Sequence, residues 1–408
     1  MKTLIYSPNS VLIEHSFAES VLVNELIESG HQVNRIFCDS VFNNFCTSME
    51  AFGLSPESSN KRKNEICSKC MSISKSYKKM PGVINYDFND FFTKFDKIKV
   101  DEYIDSLDFK TFEFEDDHFV TKDLKKKAMY ETILKYKLDE LSFNKESFNY
   151  FKSKLRSSLY SFFIGKKVKS FLKVDILFIY SPQYEINNFF YEGYKFQNLK
   201  TYFIEGSENL HFHYVGLRIW DWDVNRLVSP LKKKWHNIKT RTISLNQDFL
   251  VKKHIGELYN SKSFRVFSSK KRGKINFVND FKVSDYKKTF LMCLSSSDEA
   301  FAAYSIGAFP ESKYKSNVFK NQLDWLEYTV DFFSKNIDFG LIIRIHPRET
   351  YKKNGEYKSS HFNKIAEKLN SNNLSNNIYV NYPDDKISIY DLFDVIDVTL
   401  VSWSLTAI

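Results

Sequence analysis

Short apolar runs alternate along this chain with stretches in which apolar residues recur every three or four positions, the pattern of strands alternating with helices in an α/β protein. Thr3 to Tyr6 predicts a first strand. Phe17, Val21, Leu22, Leu26 and Ile27 then follow at helical spacing, with Ser16 as N-cap and Gly30 as C-cap, and His31 to Phe37 predicts a second strand. The alternation resumes at Val174. Asp175 to Tyr180 predicts a strand closed by Ser181-Pro182, Tyr184, Ile186, Phe189 and Phe190 a helix, and Thr201 to Ile204 another strand. A last series begins near Tyr286. It predicts strands over Thr289 to Leu294, Leu341 to Ile345, Ile378 to Asn381 and Asp397 to Ser402, with a helix around Trp325 and Leu326 and a short one capped by Ser388.

Between these series the pattern changes. Residues from about 72 to 173 are rich in Lys, Phe and Tyr and mostly helical in spacing. One amphipathic stretch carries Met129, Ile133, Leu134, Tyr136 and Leu138, and another Phe148, Phe151, Leu155, Leu159, Phe162 and Phe163. This region predicts a helical insert in the first domain. The polar run from Lys270 to Asp285 reads as a linker. The expected domains are therefore 1–280 and 281–408, both Rossmann-like.

Candidate chemistry falls at strand ends, because ligands of open parallel α/β sheets bind at the carboxyl edge. His346 follows the Leu341 to Ile345 run, and Pro347 cannot donate to a sheet ladder, so the strand stops there. Ser295, Ser296 and Ser297 follow another strand, with Asp298 and Glu299 behind them. Glu205, next to Gly206, and His15 hold similar positions in the first domain. His211 and His213 would share one side of an extended segment, and Asp221-Trp222-Asp223 is a DxD pair without a framing strand-loop pattern.

Composition narrows the classes. The 408 residues include few glycines, 12, and neither GxxxxGK[ST] nor GxGxxG occurs. The net charge of +9 comes mostly from lysine, without a concentrated basic stripe or a nucleic-acid motif, so no nucleic-acid partner is expected. Attraction to anionic substrates or to an anionic membrane face remains, and Lys166, Lys167, Lys169 and Lys173 mark a candidate basic amphipathic element for the inner membrane. No apolar run approaches the ~20 residues of a membrane span. The amino terminus turns polar too quickly for a signal peptide, so the expected location is cytoplasmic, with peripheral membrane contact.

Four of the five cysteines, Cys38, Cys46, Cys67 and Cys70, fall in one window, the last two as CxxC. The spacing fits a structural zinc site, a thiol-disulfide pair, or four unrelated thiols.

The ordered series Ser296-Ser297-Asp298-Glu299, Asn321-Gln322 with Trp325-Leu326, Arg344-Ile-His346-Pro347-Arg348-Glu349, Ser388-Ile-Tyr390-Asp391-Leu392, Asp397, and Ser402-Trp403-Ser404-Leu-Thr406 resembles bacterial capsule and lipopolysaccharide glycosyltransferases. The resemblance implies a GT-B fold, two Rossmann-like domains facing a cleft, and a nucleotide-sugar donor used without a catalytic metal. It implies donor-phosphate contacts at His346, Ser402, Ser404 and Thr406, to which Arg348, Ser296 and Ser297 add charge and hydroxyls. The acceptor would be a glycan or lipid-linked glycan, with Glu205 and His15 as candidate bases. A CDP-glycerol-type polyol-phosphate transferase and a noncatalytic GT-B-like module are the alternatives. Family members continue past the hydroxyl turn with an acidic residue, so a C-terminally truncated and inactive chain is also an expectation.

Overall fold

The computed structural model describes residues 1–206, 217–221, 235–237, 239–260, 281–307, 318–352, 356–371, 374–385 and 387–401. The described chain divides into two compact units. One is built mainly from Met1–Thr132 and Ser142–His236, the other from Ile133–Leu141, Asn237–Tyr304 and the described residues after 310.

The first unit is a six-stranded sheet. Its strands are β1 (Lys2–Ser7), β2 (Gln32–Phe37), β3 (Val83–Asp87), β4 (Ile176–Tyr180), β5 (Lys200–Gly206) and β6 (Leu217–Asp221). They lie in the order β3-β2-β1-β4-β5-β6, all parallel except the antiparallel edge strand β6. Reversal of strand order beside the first strand is the mark of a Rossmann-like sheet, and it places the switch point between β1 and β4. Helices α1 (Ile13–Glu28), α2 (Thr47–Ala51), α3 (Asn60–Tyr77), α4 (Lys94–Ser106), α5 (Lys122–Lys127), α7 (Lys145–Phe171) and α8 (Glu185–Tyr194) fill the crossovers, and α6 (Tyr130–Tyr136) begins in this unit and passes into the second after Thr132.

Continuous apolar strands predict burial on both faces, and both faces of this sheet are covered. Ile5, Val33, Ile176 and Phe178 meet Leu22, Val23 and Leu26 of α1. On the opposite side, the fully buried Tyr6 ring stacks on Phe190 at 4.0 Å and on Phe88 at 5.5 Å. Its hydroxyl meets Ser161 Oγ of α7 at 2.7 Å.

Two local expectations change. The region expected as a mostly helical insert contains β3, which pairs parallel with β2. Its residues Val83, Ile84, Asn85, Tyr86 and Asp87 are only partly buried or exposed, so this edge strand lacks the apolar run that marks β1 and β4. The N-cap of α1 is Leu12, not Ser16. Ser16 lies in the first turn, where its Oγ donates back to Leu12 O at 3.1 Å, an alternative use of a short hydroxyl. The apolar stripe of α7 is core: Phe148, Phe151, Leu155 and Leu159 are buried. Of the lysines near its end, Lys167 pairs with Asp96 at 2.8 Å and Lys169 donates to Lys195 O at 2.9 Å. Among the described residues no helix is long and apolar enough to cross a membrane.

The second unit holds a four-stranded, wholly parallel sheet made of β7 (Lys288–Cys293), β8 (Phe339–Arg344), β11 (Ile378–Asn381) and β12 (Val398–Val401). The order is β11-β8-β7-β12, and a small antiparallel pair, β9 (Thr350–Lys352) and β10 (Glu356–Lys358), follows β8. Met292, Leu341 and Ile343 pack on Leu326, Val330 and Phe333 of the helix Gln322–Lys335 and on Ile365 of the helix Ser360–Ser371. Leu291, Cys293 and Ile342 face Leu392 on the other side. The segment Ile133–Leu141, expected in the helical insert, is part of this unit.

Candidate functional site

In the second unit β7 and β8 are central neighbours, so their carboxyl ends open side by side. β7 leads through Ser295 and Ser296 into the helix Ser297–Ser305, and β8 leads into His346 and a 3-10 turn, Pro347–Glu349. The structure thus brings together four of the seven residues expected at the donor phosphate: His346, Arg348, Ser296 and Ser297. Ser402, Ser404 and Thr406 lie outside the described residues, as do His211, His213, Trp222 and Asp223.

His346 caps the 3-10 turn, its Nδ1 accepting from the Arg348 N–H at 3.2 Å. A ring nitrogen that accepts carries no proton, so the neutral imidazole holds its hydrogen on Nε2. Burial pushes the pKa down to about 4, with Asp298 opposing the shift and Arg344 and Lys137 adding to it. At neutral pH His346 is therefore an uncharged Nε2–H donor. Arg344 is committed to the scaffold: its buried guanidinium donates to Asn381 Oδ1 at 2.5 Å and to Ile387 O at 3.2 Å.

Around His346 lies a charged cluster that only folding assembles. Asp298, 2% exposed, accepts from Lys137 Nζ at 2.9 Å and from Arg348 at 3.2 Å. It also pairs with the Ser296 hydroxyl, and Arg348 pairs with Glu299 as well. Glu349 accepts the Ser297 N–H at 3.2 Å and pairs with the Ser359 hydroxyl. Ser297 and Arg348 therefore already meet carboxylates. Burial raises the Glu349 pKa to about 7; the Ser359 hydrogen bond works against that rise and the Asp298 charge adds to it.

This shift has a sign. A carboxyl whose folded pKa exceeds its unfolded value of about 4.5 favours folding most when both states are protonated. Glu349 by itself should take away roughly 3 kcal/mol of the second unit's stability as pH rises from about 4.5 to 7, against the opposite contributions of His346 and His361, whose lowered pKa values favour folding as pH rises, so Glu349→Gln should make stability climb more steeply with pH. Urea midpoints across this pH range measure it. An unchanged slope in the variant contradicts the assignment.

The carboxyl edge of the first unit's sheet is also polar. His15 sits in the first turn of α1, buried, its ring stacked on Tyr180 at 3.9 Å. Burial lowers its pKa to about 3. Its Nδ1 has no hydrogen-bond partner among the described residues, nor have Asn9 Nδ2, Ser10 Oγ or Glu185 Oε2. Glu205, near the end of β5, meets Arg218 of β6 at 3.1 Å. The charges of Glu205 and Glu14 both act on Tyr180 and Tyr184, which places these groups in one neighbourhood. A base with a conjugate-acid pKa near 3 takes little proton at neutral pH, so His15 is a poor general base.

Sequence reasoning passed over Lys137, Asp298 as an ion-pair partner, and the group around Lys154. Lys154 of α7 is 3% exposed between Glu50 at 2.7 Å and Glu131 at 2.8 Å. Its signal was a lysine within the apolar stripe, beside Phe151 and Leu155. Lys137 gave no such signal, since its partner is distant in sequence.

Cys38, Cys46, Cys67 and Cys70 are all free thiols. They line one small pocket with Pro8, Phe42, Ile66 and Met71. Burial pushes Cys46 up to about 12 and Cys67 to about 11. Among the described residues no three His, Cys, Asp or Glu side chains are drawn together tightly enough to hold a metal ion as they stand.

No family model matches this chain, and no curated protein does. One solved structure, described as "structure of a CDPS from Fluoribacter dumoffii", aligns over 54% of this chain and 90% of that one, at 14% identity and a TM-score of 0.30. That likeness is too loose to carry an argument about fold or activity.

Proposed function

We propose that the protein is a glycosyltransferase of GT-B type. It moves a sugar from a nucleotide-activated donor to a growing surface polysaccharide or lipid-linked acceptor. In this reading the two parallel sheets are the two halves of the GT-B arrangement, and the β7–β8 edge takes the donor's phosphates.

The observation that carries the reading is His346 as a neutral Nε2–H donor at the carboxyl edge of a wholly parallel sheet. It stands beside Lys137, Arg348 and the start of the helix Ser297–Ser305. A nucleoside diphosphate leaving group gains negative charge as the glycosidic bond to the donor breaks. The His346 N–H donor stabilises that charge, and Lys137 and Arg348 join it by turning from Asp298 and Glu299 towards the phosphate. A half-protonated Glu349 weakens the repulsion that two full carboxylates would exert on an incoming phosphate. Of the two candidate bases Glu205 is preferred, because the lowered basicity of His15 suits it to packing against Tyr180.

The test is equilibrium binding of nucleoside diphosphates to the chain and to His346→Ala. A hydrogen bond to a charged group stabilises by about 1.5–3 kcal/mol, so the variant, still folded at the assay temperature, should bind roughly 10- to 100-fold more weakly. Equal affinity of the two proteins sinks the proposed role of His346.

A further inference from the structure

The four-cysteine pocket belongs to the first unit and plays no part in the phosphate chemistry above. Its thiols come from three separate segments. Cys38 follows β2, Cys46 is the N-cap residue of α2, and Cys67 and Cys70 are one turn apart on α3. Spacing of i and i+3 sets two helical side chains on one face, so the CxxC pair points the same way. The pocket receives all four side chains.

Besides the four cysteines the pocket is lined by the apolar Pro8, Phe42, Ile66 and Met71 and by Ser40 and Ser48.

We propose that Cys38, Cys46, Cys67 and Cys70 form a structural tetrathiolate site for one zinc ion, which ties the loop after β2 to α2 and α3. On binding, four thiols release their protons and the ion draws the sulfurs inward to tetrahedral distance, without electron transfer. The site is closed, with four protein ligands and no open position, so its role is structural. A thiol-disulfide role fits less well. Cys67 and Cys70 lie in mid-helix, away from the N-terminal turn where a helix favours a reactive thiolate.

The full chain, purified without chelator, should hold close to one zinc per chain by elemental analysis. Cobalt in place of zinc should show the intense visible bands of tetrahedral thiolate ligation. The same metal-loaded protein should shield four of its thiols from a thiol reagent until a chelator is added. Cys67→Ser/Cys70→Ser should lose the zinc and the cobalt bands; should that variant fail to fold, the shielding experiment on the parent chain decides. Freely reactive thiols in metal-loaded protein, a Cys67–Cys70 disulfide, or iron with sulfide in place of zinc would each overturn the proposal.

Discussion

A Gly193→Ala chain should melt about 4–8 °C below the parent, although alanine is the better helix former. Gly193 of α8 and Gly165 of α7 lie where the two helices touch backbone to backbone. A Cβ on Gly193 would stand 2.2 Å from the Phe162 carbonyl oxygen, and one on Gly165 would stand 2.5 Å from the Phe190 carbonyl oxygen. Neither obstacle is a flexible side-chain end, so relief requires the helices to part. Parting disturbs Phe190, whose ring supports Tyr6 in the central strand, and Ser161, which bonds to the Tyr6 hydroxyl. Helix propensity returns about 1 kcal/mol to alanine. Overpacking costs about 1–3 kcal/mol, more against rigid backbone, so a net loss near 2 kcal/mol is expected. For a unit of this size that corresponds to the stated fall in melting temperature. Gly165→Ala added to it should cost less than its separate effect, because both residues open the same contact. A melting temperature equal to or above the parent's refutes the close-approach account.

Glu19→Ala should be costlier still. Arg35 lies in the middle of β2 with 1% of its side chain exposed, and Glu19 of α1, 2% exposed, meets its NH2 at 2.8 Å. Arg35 Nε donates to Ser7 Oγ at 2.8 Å, and the guanidinium lies over the rings of Phe37 and Tyr77 at 4.7 and 4.9 Å. Removing the carboxylate leaves a buried cation uncompensated, which costs about 3–5 kcal/mol. Replacing both partners, Glu19→Leu with Arg35→Met, should recover most of that loss, because no charge then needs solvation. Denaturant midpoints of the two variants separate the cases. If the double variant is as unstable as Glu19→Ala, packing and not charge governs the position.

What could be read from the sequence follows from what short-range pattern can encode. β1, β4, β7 and β8 are legible because a strand covered on both faces is largely apolar, and Leu341 to Ile343 is such a run. His346 is legible at a strand exit because Pro347 ends the ladder locally. β3 is not legible because its exposed edge demands little apolar character. Ser16 misled because a hydroxyl near a helix start can cap it or bond back inside its first turn, and the choice depends on how the preceding loop leaves β1. The ion pairs Lys137–Asp298 and Lys154–Glu131 were out of reach for a different reason. Each joins residues distant in sequence, and a charge reads as a solvent-facing residue until the fold covers it. The candidate site was therefore legible as positions along strands, while its electrostatics emerged only with the fold.

The central claim is that the β7–β8 edge serves sugar transfer from a nucleotide-activated donor. The measurement that tests it most directly is turnover by the intact chain with a panel of UDP-, CMP-, GDP- and CDP-linked donors and a mixture of glycan and lipid-linked acceptors. Release of nucleotide would be read against His346→Ala. The account predicts acceptor-dependent release from one sugar-nucleotide class, with the rate falling at least tenfold in the variant. Turnover with CDP-glycerol alone, or donor binding with no transfer to any acceptor, would contradict it.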